Sequence, residues 1–238
     1  MQATSRRKLA MGRRALEFSR AHPDQGTGTT AAVAALEERL ARAAELVRLQ
    51  SDGTLQERTA NARKRVLRRT ITRSHLSHVA GIARLAAREA PDLERRLRFS
   101  SYNGSFVVFR SEAGRIAEEA VMQRELLMKY GLDEKVLDDL DVALGGFDTA
   151  VGQADAGRRI HVTATSELRD VADEVVAIVE GMTGSIRHRY AGEPQTLQAW
   201  ESATNPGHPG PVEEDDEAEP TPQPSPGGAV KSEAEPAA

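Results

Sequence analysis

The segment RKRVLRRTITRSHLSH, residues 63–78, gathers side chains that are able to do chemistry. Six of its sixteen residues are Arg or Lys, none is acidic, and it ends with His75 and His78. Guanidinium groups bind phosphates, and imidazole binds metals or takes part in proton and phosphoryl transfer. The segment is therefore a nucleic-acid surface, a histidine site, or the outer face of a packed helix.

A helical wheel separates the arginines of this segment from its apolar residues. At about 100° per residue, one arc of the helix contains Leu67, Ile71, Ser74, His78, Ile82 and Leu85. The opposite arc contains the four candidate binding residues, which we call the arginine face: Arg65, Arg68, Arg69 and Arg73. Leu76 and Val79 also lie on the arginine side, which predicts that another helix partly covers it.

Nucleic-acid binding through the arginine face is one hypothesis, because Arg contacts with phosphates supply much of the affinity for nucleic acids. Many single-strand sites also stack bases on aromatic rings, and no Phe, Tyr or Trp occurs between Phe18 and Phe99. A simpler hypothesis is a solvated face that meets acidic residues of the second half of the chain, namely Asp138, Asp139 and Asp141. The sequence favours the simpler hypothesis.

The two histidines favour a structural role. His78 lies at the centre of the apolar stripe, so we predict that it is buried and neutral, because burial disfavours the charged imidazole. A bundle di-metal site needs Glu three residues before His, and none of the six histidines has one. The segment SHVAGIA, residues 77–83, is similar to the His-x-Leu-Lys-Gly segment of histidine phosphotransfer domains, but it lacks the Lys and its Gly is one residue nearer. We expect no metal and no other cofactor.

Charge divides the chain into three parts. Residues 1–100 carry 21 basic and 10 acidic side chains (+11), residues 101–205 carry 10 and 18 (−8), and residues 206–238 carry 1 and 8 (−7). The first half either binds an acidic partner or is neutralised by the second half. Because the second explanation needs no partner, we expect helices of residues 29–90 to pack against helices of residues 105–190.

Composition predicts an all-α fold. Aromatic residues make up only 4% and there is no Cys, so the core must be built from Ala, Leu, Val and Ile, which suit helices. Prolines are absent from 24–90 and from 92–193, which leaves room for long helices. We predict an antiparallel bundle of about six long helices over residues 1–205. A disordered, acidic, Pro-rich tail follows at 206–238, with eight of the eleven prolines and little apolar surface to bury.

Turn and cap residues set the predicted boundaries of these helices. Turns are predicted at SDG, residues 51–53, and at Gly157, while Gly131 is predicted to end one helix and Asp133 to cap the next. We predict a second helix from Thr29 or Thr30 to Gln50 and a fifth from Asp133 to Ala154, and a shift of 104 residues places Gly53 on Gly157 and the apolar positions of the second helix on those of the fifth. This predicts duplicated helical hairpins, repeat units 29–100 and 133–205, although any two helices with heptad patterns would also align.

The favoured function is a non-enzymatic helical-bundle scaffold that binds a partner protein or a second copy of itself. The chain contains no recognised nucleophile motif or phosphate-binding loop. No apolar run approaches the ~20 residues of a membrane span, so we expect a cytoplasmic protein with no membrane contact. Nucleic-acid binding through the arginine face is the alternative, and an enzyme or sensor with a cavity in the bundle is a third hypothesis.

Overall fold

The computed structural model describes residues 2–24, 26–100 and 104–207, and every regular element in these ranges is helical. The predicted all-α fold is confirmed. Its elements are α1 (Ala3–Ala21), α2 (Thr27–Thr70), a π-helical segment (Ile71–Leu76), α3 (Ser77–Ala86), α4 (Leu93–Arg96), α5 (Phe106–Met122), α6 (Arg124–Lys129), α7 (Glu134–Arg189) and α8 (Pro194–Ala203). Of the predicted tail, only residues 206 and 207 belong to the described ranges.

Two long helices form the axis of the molecule. One runs without interruption through α2, the π-helical segment and α3, which contribute 44, 6 and 10 residues. The other is α7 with 56 residues, so both are ~84–90 Å long. They are antiparallel, because the N-terminal half of α2 packs against the C-terminal half of α7 and the remaining halves pack together. None of the helices in the described ranges has the length and apolar character needed to cross a bilayer.

The predicted turns at 51–53 and at Gly157 are wrong, because α2 and α7 run straight through both positions. The two glycines instead meet where the helices cross. A Cβ atom at Gly53 would lie 2.7 Å from the backbone nitrogen of His161 and 2.8 Å from the Gly157 carbonyl oxygen. A Cβ atom at Gly157 would lie 2.7 Å from the Glu57 nitrogen and 2.8 Å from the Gly53 carbonyl oxygen.

Only glycine permits this backbone-to-backbone contact, which we call the glycine crossing. Gly is ~1 kcal/mol poorer than Ala inside a helix, and the close contact explains why it nevertheless occupies both positions. Neither Gly53 nor Gly157 breaks its helix. The two helices predicted on either side of Gly53 are therefore one helix, α2, and those on either side of Gly157 are one helix, α7. The fold therefore has fewer and longer main helices than the sequence predicts.

Two hydrophobic cores lie at opposite ends of this helix pair. The first core combines α1, the N-terminal half of α2, the C-terminal half of α7, and α8 with Trp200. The second core combines the C-terminal end of α2, the π-helical segment, α3 to α6, and the N-terminal half of α7 with Phe147. Neither core includes residues 48–66 of α2 or residues 152–163 of α7. We call these two stretches, which contain the glycine crossing, the waist.

The packing joins the two halves of the chain, as their charges predict. Both cores contain residues from before and after residue 100. Ion pairs also connect the halves along the first core: Lys8 with Asp173, Arg39 with Glu174, and Arg42 with Glu167. The acidic residues of the second half thus neutralise part of the basic first half.

The 104-residue shift also relates the buried positions of α2 and α7. Buried residues at 36, 43, 46, 50, 53, 60, 64 and 71 correspond to buried residues at 140, 147, 150, 154, 157, 164, 168 and 175. A local two-fold axis through the glycine crossing accounts for this correspondence, since each glycine contacts the other. The duplication of units 29–100 and 133–205 remains a prediction.

Candidate functional site

Three of the four arginine-face residues lie together on the surface. Arg65, Arg69 and Arg73 are exposed, and within the described ranges they form no ion pair. They follow one another at intervals of four residues, about 6 Å along the helix axis. The helical wheel therefore predicted correctly that these three arginines face solvent on one side of the helix.

The fourth residue, Arg68, is turned towards the protein. Its guanidinium carbon lies 5.0 Å from the ring centroid of Phe109 and 5.8 Å from that of Phe106. One turn earlier, Lys64 is only 7% exposed, and its Nζ lies 4.7 Å from the centre of the Phe106 ring. Both cations are held over the aromatic rings of α5 by cation–π contacts. Sequence reasoning missed this arrangement because the rings come some forty residues later in the chain.

The predicted pairing of the arginine face with Asp138, Asp139 and Asp141 is wrong. Asp139 accepts hydrogen bonds of 2.7 Å from Lys135 of its own helix. Asp138 and Asp141 are exposed, whereas Leu137, Leu140 and Leu144 face the second core. Because α7 buries these leucines, Asp138 and Asp141 lie on its exposed side, and Asp139 pairs with Lys135 of its own helix.

The predicted burial of His78 is also wrong, because His78 is exposed. The π-helical segment Ile71–Leu76 adds one residue to its turn, and each added residue rotates the following side chains by about 100°. After it, the buried stripe passes through Leu76, Val79, Ala83 and Ala86. The two residues placed off the stripe by the regular wheel, Leu76 and Val79, are thus core residues.

His75 lies within the π-helical segment. It is half-buried, and burial lowers the pKa of His75 below its usual range, while the Asp139 carboxylate acts in the opposite direction. Within the described ranges, no three His, Asp or Glu side chains are grouped so that they could hold a metal ion.

A polar cluster at the waist was missed by the sequence analysis. Gln50 is largely buried and donates a 2.7 Å hydrogen bond from Nε2 to Thr165 Oγ1. Thr54 Oγ1 lies 3.0 Å from His161 Nδ1. These contacts join α2 to α7 beside the glycine crossing. The sequence signal was the pair of helix-interior glycines, which indicates close approach as well as a turn.

The part of the chain that the structure describes has shallow depressions on its surface, and two of them are of interest. One, of about 380 Å³, lies at the waist and is lined by Asp52, Leu55, Gln56, Thr59, Ala60 and Gln153. The other, of about 480 Å³, lies at the α3–α4 end and is lined by Ala80, Arg84, Pro91, Glu94, Arg95 and Arg98. His78 lines neither of them.

Comparisons with family models, with curated proteins and with solved structures find no match to this chain. Function must therefore be inferred from the geometry described above.

Proposed function

We propose that this protein is a non-enzymatic helical scaffold that holds two binding ends at a fixed separation. The observation that carries this proposal is the continuous antiparallel pair of α2–α3 and α7, with a separate core at each end. The backbones touch at the glycine crossing, so the helices cannot slide or tilt there without a steric clash. A stiff spacer with two different ends suits a protein that joins two partners or two copies of itself.

Exposed apolar side chains at the second end support partner binding. Val107 is 79% exposed and Met122 is 69% exposed, and Val121 and Met128 are also exposed on α5 and α6. Val121 and Met122 are adjacent at the C-terminal end of α5, and contiguous exposed apolar surface often marks an interaction site. This end of the molecule is therefore where we expect a protein partner to bind.

Rigid spacing is testable because the chain has no natural Cys to interfere with labelling. Cysteines placed by Asp138→Cys and Ser185→Cys lie at opposite ends of α7, 47 helical residues or about 70 Å apart. Single-molecule energy transfer between two dyes should show one narrow population near that distance. The pair Ser166→Cys and Ser185→Cys, about 28 Å apart within the first core, controls for dye behaviour. A broad distribution for the long pair beside a narrow one for the short pair would contradict the scaffold.

Nucleic-acid binding is the second candidate, and one observation favours it. Arg65, Arg69 and Arg73 are exposed along one side of the helix. Other surface arginines, such as Arg39 and Arg42, form ion pairs with glutamates. A row of guanidinium groups at ~6 Å intervals is able to contact successive phosphates of a nucleic-acid strand. In this proposal, Arg68 packs beneath these three arginines, against the Phe106 and Phe109 rings of α5.

The triple variant Arg65→Gln, Arg69→Gln, Arg73→Gln tests this candidate by fluorescence anisotropy with labelled duplex DNA and single-stranded RNA. Loss of three phosphate contacts should make the slope of log K against log salt about 2.7 units shallower for duplex DNA, at ~0.9 per contact. The matched control, Arg39→Gln, Arg42→Gln, Arg187→Gln, removes the same charge elsewhere and should leave the slope nearly unchanged. Equal losses in both variants, or no binding by the unaltered protein at 50 mM salt, would reject the candidate.

A further inference from the structure

The exposed side of α1 is strongly basic. Eight of the nineteen residues of α1 are buried, and Leu9, Met11, Ala15 and Leu16 belong to the first core. The remaining side carries one acidic residue, Glu17, and a set of arginines that we call the α1 basic face: Arg6, Arg7, Arg13, Arg14 and Arg20. Arg20 forms an ion pair with Glu37 of α2, and Arg6, Arg7 and Arg13 are all exposed.

Arg14 connects this face to the chain that follows α8. Its Nε donates a 3.1 Å hydrogen bond to the carbonyl oxygen of Ala203, and its Nη2 donates a 2.7 Å hydrogen bond to that of Asn205. Because Arg14 is itself part of the α1 basic face, the chain leaves the helical body directly beside that face.

The residues that follow have the opposite charge. Residues 208–238 contain eight acidic side chains and one Lys, and six of the acids lie within the seven residues EEDDEAE at 213–219. Glu213 is eight residues beyond Asn205, and eight residues span up to about 28 Å. Arg6 lies eight helical residues from Arg14, or about 12 Å. The acidic run is therefore long enough to reach every arginine of the α1 basic face.

The arginine face of α2 is much further away. A Cβ at Gly12 of α1 would lie 3.4 Å from a Leu40 methyl group, and 25 helical residues, about 37 Å, separate Leu40 from Arg65. The α1 basic face is thus much nearer than the arginine face to the point where the acidic segment begins. Tethering gives the run an effective concentration in the millimolar range at that surface.

We propose that the acidic segment 208–238 binds the α1 basic face of the same chain, with residues 213–219 placed against Arg6, Arg7 and Arg13. The contact shields the α1 basic face from anionic macromolecules and leaves the arginine face of α2 accessible. It goes beyond the scaffold function, because it assigns a partner to a surface that neither proposed function uses.

Paramagnetic relaxation in the full-length chain tests this contact. A nitroxide attached to the variant Ala218→Cys, the only Cys in the chain, should broaden the amide signals of residues 6–13 to less than half their intensity at low salt. The signals should recover in 1 M NaCl, where the screening length is only ~3 Å. The amide signals of residues 65–73 should be unaffected at either salt concentration.

Three variants of the labelled chain separate charge recognition from simple tethering. Neutralising residues 213–217 and Glu219 with Gln or Asn should abolish the broadening of residues 6–13, as should Arg6→Gln, Arg7→Gln, Arg13→Gln. The triple substitution at Arg65, Arg69 and Arg73 should leave it unchanged, and circular dichroism checks that each variant keeps its helix content. Equal broadening with the neutralised segment, or loss of broadening only when the α2 arginines are replaced, would overturn the proposal.

Discussion

Replacing Gly53 with alanine should destabilise the protein by at least ~1–3 kcal/mol, the usual cost of forcing extra volume into a packed interior. The new methyl group would lie 2.7 Å from the backbone nitrogen of His161 and 2.8 Å from the Gly157 carbonyl oxygen. Backbone atoms cannot rotate away as side chains do, so α2 and α7 must separate along the waist. The Gly157→Ala variant should behave in the same way, since its methyl group would meet the Glu57 nitrogen.

Thermal and urea unfolding measure this effect against a matched control on the same helix. Gly152 is exposed and a Cβ there would meet nothing within 4 Å, so Gly152→Ala should stabilise the protein by ~0.5–1 kcal/mol through helix propensity. At ~2–4 °C per kcal/mol for a chain of this size, Gly53→Ala should lower the melting temperature and Gly152→Ala should raise it. Equal stability of Gly53→Ala and Gly152→Ala would show that the helices do not touch at the glycine crossing.

The glycine crossing also shows what the sequence was able to predict. Local signals were interpreted correctly where a single residue determines the backbone. Asp133 Oδ1 accepts a hydrogen bond from the Lys135 amide at the start of α7, and Gly131 has φ of +97° after α6. At Gly53 and Gly157 the same residue type served a different purpose, because a contact with a helix about a hundred residues away in sequence outweighed the local turn preference.

The candidate site could be predicted only where the helical period is regular and no distant residue intervenes. Exposure of Arg65 and Arg69 followed from the regular 3.6-residue period, which holds up to residue 70, and Arg73 near the start of the π-helical segment is exposed as well. The π-helical segment then changed the period, so the wheel failed for His78, Leu76 and Val79. The inward position of Arg68 depends on Phe106 and Phe109, and no periodicity within α2 reveals which distant rings will lie beside it.

Dividing the chain between residues 100 and 101 should abolish cooperative folding of both fragments. In the fragment 1–100, α2 would lose α7 along its entire length, and in 101–205, α7 would lose α2, α1 and α3. The buried faces of Leu36, Leu168, Val175 and Phe147 would open to solvent, at about 25 cal/mol for each Å² of apolar surface. Each fragment alone should therefore unfold without a sharp transition or aggregate. Mixing the two should restore helicity and a single transition, as measured by circular dichroism.

Salt then separates the contribution of charge from that of apolar packing. The ion pairs between the halves, such as Arg39 with Glu174 and Arg42 with Glu167, involve exposed side chains and contribute only ~0–1 kcal/mol each. Reassembly should thus persist in 1 M NaCl, although its rate should fall because long-range attraction between the +11 and −8 halves is screened. Fragments that each fold as stable monomers and ignore one another when mixed would contradict this account. Apolar contact between α2 and α7 would then be a docking surface between two domains, and the charge division of the chain would have no part in its folding.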